Sequence, residues 1–129
     1  MAQSKGKKKT SGNFFIRRRT PTPKMKREEL KRLVEEATVD ANGESEQLTG
    51  LYTMLEDYLQ LPFETELLGI PVMVEKVERT DAEELVAHCR KGNKRQRVSI
   101  LELPLPEPLP KGSEWIEAYR YWKTGKVKP

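Results

Sequence analysis

Thiol and imidazole chemistry is nearly absent from this chain, whose 129 residues hold one cysteine and one histidine. A lone Cys89 excludes an intramolecular disulfide and fits a reducing compartment, so a cytoplasmic location is expected. His88 and Cys89 are neighbours, and neighbours on a strand point to opposite faces, so they do not form a nucleophile–base pair. Cys89 shares its expected face with Leu85 and Ala87, which reads as a buried, inert thiol. A zinc site would need carboxylates to complete it. No apolar run approaches the ~20 residues that span a bilayer. No apolar segment follows the N-terminal lysines, so no secretory signal is expected. Glycine-rich phosphate loops, the His-Glu-x-x-His pair and the Gly-x-Ser-x-Gly elbow are all missing. Only scattered carboxylates remain for catalysis, and the expectation is a binding protein, not an enzyme.

Charge is what the chain has in quantity. Charged residues make up 34% and apolar residues 36%, a polar balance implying that part of the chain lies outside any core. Residues 1–27 hold ten Lys/Arg and no acids, residues 28–87 four against sixteen acids, and residues 88–129 ten against four. The net charge of +4 therefore hides a basic arm, an acidic middle and a basic end. The length allows one domain with extensions, and a monomer is expected. Residues 1–21 are rich in Lys, Arg, Ser and Gly without apolar periodicity, so they are expected to form a disordered arm, leaving 22–129 as the domain.

Thr22-Pro23 suits the start of a helix over 24–40, with Leu30, Leu33, Val34 and Ala37 as its apolar stripe. A second helix is expected over 46–60, with Leu48, Leu51, Tyr52, Leu55 and Leu59 on one face. Gly50 inside it costs about 1 kcal/mol relative to Ala, so packing must hold it. Beyond Pro62 the period changes to two, predicting strands over 64–68, 72–78, 85–90 and 96–103, with turns at Gly69-Ile70-Pro71 and Lys91-Gly92-Asn93. Short strands, tight turns and no βαβ spacing argue for a small antiparallel barrel over 64–103. Four prolines between Pro104 and Pro110 predict an extended wrap. Ser113 is placed to cap a last helix over 113–123, with Trp115, Ile116, Tyr119 and Trp122 inward.

The segment Tyr52–Phe63 reads Y-T-M-L-E-D-Y-L-Q-L-P-F, and Ser113–Trp122 reads S-E-W-I-E-A-Y-R-Y-W. Together they resemble the CcbP-like family of small calcium-binding proteins, in which a Y-x-x-L-E-D-x-L-x-F-P-F segment opens the domain. Tyr52, Leu55, Glu56, Asp57, Leu59, Pro62 and Phe63 match that pattern, and Leu61 replaces its first Phe. The resemblance spans roughly residues 51–123. It implies an SH3-like β-barrel closed by a helix, and with the helices read above the expected fold is α+β: a small antiparallel SH3-like β-barrel with two N-terminal helices and a C-terminal helix. It implies calcium as the bound ion, with Glu56, Asp57 and the acid-rich loop holding Glu78, Asp81, Glu83 and Glu84 as ligands.

Read from the residues alone, those acids allow two accounts. Glu56 and Asp57 lie near a helix C-terminus, where a carboxylate costs about 0.3–1 kcal/mol unless a cation offsets it. Loop carbonyls beside Glu78–Glu84 would add oxygens of the kind calcium takes. A solvated acidic face is the competing account and stays open. Asp40–Glu46 does not make an EF-hand loop, because its glycine falls too early and Leu51 stands where the closing glutamate belongs. The rival functional signal is basic. Lys7, Lys8, Lys9, Arg17, Arg18 and Arg19 in the arm, with Lys94, Arg95 and Arg97 in the hairpin, suit a nucleic-acid phosphate backbone.

Overall fold

A computed structural model describes residues 26–125. The expected disordered arm, the Thr22-Pro23 start and the arm cations Lys7, Lys8, Lys9, Arg17, Arg18 and Arg19 lie outside the described residues. Three helices and four strands follow in the order α1 (Arg27–Ala37), α2 (Glu44–Tyr58), β1 (Phe63–Leu67), β2 (Ile70–Arg79), β3 (Leu85–Lys91), β4 (Lys94–Ser99) and α3 (Glu114–Thr124). No helix among the described residues is long and apolar enough to cross a membrane.

α1 starts at Arg27 behind an extended Lys26. The Glu29 carboxylate accepts the Lys26 backbone N–H at 3.2 Å, and Glu28 and Glu29 sit favourably in the first turn. α1 stops where Thr38 turns both its N–H (3.0 Å) and its hydroxyl (2.7 Å) onto the Val34 carbonyl. Leu30 is fully buried, and Leu33, Val34 and Ala37 pack at the margin of the core.

α2 buries Leu48, Leu51 and Leu55, with Leu59 at its cap. Gly50 is explained by packing. A Cβ there would overlap the Ala37 carbonyl oxygen and lie 3.2 Å from its carbon, so glycine lets the end of α1 rest directly on α2. α3 closes the core with Trp115, Ile116, Ala118 and Tyr119, while Trp122 is only half-buried. The Ser113 hydroxyl makes no capping hydrogen bond, because that residue is itself helical in φ and ψ. Glu117 is a buried carboxylate that the sequence pattern does not signal, paired with Arg120 at 3.3 Å.

The sheet is an antiparallel meander in the order β1-β2-β3-β4. Among the described residues its four strands do not close, so the expected SH3-like barrel is not shown. The chain after β4 returns past β1, but as Leu103–Pro110, where prolines supply no ladder N–H. Contact there is a side-chain hydrogen bond, from the Thr65 hydroxyl to the Pro104 carbonyl at 2.6 Å. β4 also ends earlier than predicted. The Ser99 hydroxyl accepts the Leu101 N–H at 3.3 Å and starts a 3-10 turn over Ile100–Glu102. The first hairpin turns at Leu68-Gly69, with Ile70 and Pro71 already in β2.

Register between β2 and β3 shifts between Val74 and Lys76, making Glu75 the extra residue of a bulge. The bulge resets the alternation. Phe63, Val74, Val77, Leu85, Ala87 and Cys89 face the helices, and Lys76, Glu78, His88, Arg90, Arg95 and Arg97 face away. Cys89 is buried as expected, and that burial pushes its thiol pKa up.

Candidate functional site

Tyr52 and Glu56 lie one turn apart on α2, and the phenol donates to the Glu56 carboxylate at 2.8 Å. Both open onto a pocket of about 420 Å³ at the seam of α2 and β2, lined also by Leu61, Lys76, Val77 and Glu78. Burial pushes the Tyr52 phenol pKa up. The Glu56 hydrogen bond, the Glu56 charge and the Glu78 charge push it further in the same direction. Two carboxylates from different elements therefore act on one hydroxyl. No basic residue occupies the last turn of α2 to offset the macrodipole there.

Glu78 does not sit in a loop with Asp81, Glu83 and Glu84, contrary to the sequence reading. It is the penultimate residue of β2, turned outward by the Glu75 bulge. His88 Nε2–H donates to its carboxylate at 2.6 Å, and Arg97 lies 3.7 Å away. The His88 hydrogen bond holds the Glu78 carboxyl below the usual glutamate range, helped by the positive charges of Arg97 and Lys76. Next to it, Arg90 Nε–H donates to Glu75 at 2.6 Å and lowers that carboxyl too.

Asp81, Glu83 and Glu84 are exposed on the turn between β2 and β3. That turn closes on itself: Thr80 N–H donates to the Glu84 carbonyl at 2.9 Å, and Glu83 N–H to Thr80 at 3.0 Å. Glu83 holds a φ of 63°, a left-handed conformation that costs a non-glycine residue on the order of 1 kcal/mol or more. Asp57 is exposed beside Glu56. The six acids thus fall into a seam pair, Glu56 and Glu78, a turn group, and Asp57 alone. Among the described residues no three His, Cys, Asp or Glu side chains converge as a metal site.

Two residues of the seam were not singled out from the sequence, Tyr52 as a hydroxyl and Lys76, and His88 was weighed only beside Cys89 and not as a partner of Glu78. The Tyr52–Glu56 spacing of four on a helix is a readable signal. The pairing of His88 with Glu78 depends on strand register and on the bulge, and carries no local signature.

The family model for CcbP proteins, described as calcium binding, matches residues 31–123. This chain belongs to the CcbP calcium-binding family. The match begins within α1, so that helix is part of the CcbP unit as much as the sheet is. The crystal structure of Anabaena CcbP is similar in fold, with a TM-score of 0.63 at 18% sequence identity, covering 77% of this chain and 92% of that one. No curated protein matches the chain.

Proposed function

We propose that this CcbP-family protein binds calcium as a cytoplasmic buffer or sensor, without enzymatic activity, and that the α2–β2 seam anchors the ion. Family membership over residues 31–123 is the observation that carries the ion's identity. The joint action of Glu56 and Glu78 on Tyr52 supports the place. The donors there are carboxylate and hydroxyl oxygens, the hard ligands calcium takes. No thiolate joins them, since Cys89 lies on the core face.

Glu56 and Glu78 supply fewer than the roughly six to eight oxygens calcium takes, so waters and backbone carbonyls complete the set. Asp57 adds to the negative potential at the end of α2. Asp81, Glu83 and Glu84, just past the end of β2, form a second acidic group, and we assign them the secondary role. Binding must loosen Glu56 from Tyr52 and Glu78 from His88, against the resident charge of Lys76. These costs place the affinity at the weak end of the roughly 10⁻⁹–10⁻³ M range of calcium sites.

The test is calorimetric titration with calcium, with magnesium as control, on the parent and two variants. Glu56→Gln with Glu78→Gln should abolish the calcium heat. Asp81→Asn with Glu83→Gln and Glu84→Gln should weaken it. The reverse ranking would move the site to the turn. Neither heat nor a melting shift at millimolar calcium would refute calcium binding itself.

A further inference from the structure

The two hairpin turns, at Leu68-Gly69 and Gly92-Asn93, lie side by side at one end of the sheet. Both residues of the first turn have positive φ, 52° for Leu68 and 77° for Gly69. That is the conformation Asn-Gly suits, since a branched side chain resists it. Leu68 occupies it while 100% exposed, and Ile70 beside it is 46% exposed. Leu68 therefore has neither a favourable backbone nor burial in this fold.

The second turn is unfavourable in a different way. Cross-strand register places Lys91 opposite Lys94, Arg90 opposite Arg95, and His88 opposite Arg97. Like charges directly opposite destabilise a strand pair. Glu75 takes Arg90 and Glu78 partly takes Arg97, while Lys91, Lys94 and Arg95 make no ion pair among the described residues. Charge on β4 guards an open edge against aggregation. Lys91 needs another reason, because β3 is paired on both sides.

Between the turns the helix-side face of the sheet is only partly covered: Leu67, Val72 and Val98 are half-buried and Ile70 is exposed, while Cys89 is buried. A groove of about 600 Å³ opens there over Leu67, Ile70, Val72, Cys89 and Val98, with Lys91 and Lys94 on the same face, Arg95 of the opposite face at its rim, and Glu102 its single carboxylate among the described residues. Apolar side chains ringed by cations match an anionic lipid surface, with headgroups meeting the cations and Leu68 and Ile70 entering the acyl boundary. We propose that this end of the sheet docks on anionic membrane. A nucleic-acid backbone would use the cations, but aliphatic Leu68 and Ile70 offer its bases no stacking surface.

The test is co-sedimentation of the full chain with phosphatidylcholine vesicles, alone or with about one-third phosphatidylserine. One variant removes the apolar tip with Leu68→Asn and Ile70→Thr, residues that keep the turn and the strand. A second removes the cations with Lys91→Gln, Lys94→Gln and Arg95→Gln. A third, Lys31→Gln with Arg32→Gln and Lys111→Gln, removes equal charge elsewhere, and all three are expected to melt as the parent does. The parent should bind the anionic vesicles and not the neutral ones. The cation variant should lose about fivefold per residue, on the order of a hundredfold in all. The apolar variant should also weaken binding, and the third variant should keep it largely intact. Equal loss in the cation and control variants, or retention in both tip variants, would overturn the proposal in favour of general charge or the basic arm. Binding to duplex DNA without binding to vesicles would overturn it in favour of nucleic acid.

Discussion

Gly50→Ala sets two effects of opposite sign against each other. Inside an exposed helix the change stabilises by about 1 kcal/mol through helix propensity. Here the new Cβ would overlap the Ala37 carbonyl oxygen, lying 3.2 Å from Ala37 carbon and 3.9 Å from the Thr38 Cα. The obstacle is backbone, which yields only if α1 shifts. Overpacking of this kind costs about 1–3 kcal/mol, and displacement of α1 also disturbs fully buried Leu30. The steric effect should win, with a net loss of about 1–2 kcal/mol. For a domain of this size that lowers the melting temperature by roughly 4–15 °C. Urea unfolding of Gly50→Ala beside Thr53→Ala, an exposed site one turn further on, would measure it. Thr53→Ala should be neutral or slightly stabilising. A Gly50→Ala protein more stable than the parent would show that α1 does not rest on α2 at this point.

The other expectations follow from single hydrogen bonds and from the lowered carboxyls. Tyr119→Phe leaves the Leu85 N–H, now donating to the buried phenol at 3.3 Å, without that acceptor, and should cost about 1–3 kcal/mol in chemical denaturation. Trp122→Ala removes a half-buried ring stacked on Tyr119 at 6.2 Å and its N–H bond to Gln47 at 2.9 Å. It should cost about 2 kcal/mol, less than the 3–5 of a fully buried aromatic, as the shift in unfolding midpoint would show. Glu75 and Glu78 have folded pKa values below the ordinary 4.5, so their stabilisation is present above that pH and lost as pH falls through the lower folded values. Glu75→Gln with Glu78→Gln should therefore melt lower than the parent at neutral pH and converge with it in strong acid. A constant difference across acid pH would refute the linkage.

Periodicity carried most of the fold. The apolar stripes of α1, α2 and α3 and the alternation of β1 and β3 are properties of local spacing, and their burial follows. The failures lie where one residue changes the geometry. Without the bulge, alternation from Val72 would put Val74, Lys76 and Glu78 on the core side. Inserting Glu75 as the extra residue returns Val77 to the core and turns Lys76 and Glu78 outward. No spacing rule marks that position, so the membership of the seam was not readable, although Tyr52–Glu56 within it was. Closure of the sheet was not readable for a related reason. Strand count and turn spacing are alike in an open meander and a barrel, and the outcome depends on whether the returning chain can donate to β1. The prolines after Leu103 decide it.

The seam and the docking end occupy opposite ends of β2, and their distance decides whether they act on each other through charge. Glu78 is eight residues from Ile70 in the sequence, and a strand rises about 3.3 Å per residue, so the separation is about 26 Å, slightly less with the bulge. Two unit charges that far apart in water interact by about 0.2 kcal/mol before screening. A Debye length of about 8 Å at physiological salt removes nearly all of that. A divalent ion at the seam therefore cannot loosen the tip cations electrostatically. Coupling would have to run through the sheet, along the ion pairs Glu75–Arg90 and Glu78–Arg97 that join β2 to β3 and β4. Both are partly exposed, and such pairs carry at most about 1 kcal/mol each. Calcium that raises the melting temperature should thus leave the partition onto anionic vesicles within about a factor of five. A larger change in partition that survives Glu56→Gln with Glu78→Gln would mean that calcium bridges the lipid headgroups directly. One that disappears in that variant would mean that the β2–β4 ion pairs transmit more than exposed pairs ordinarily do.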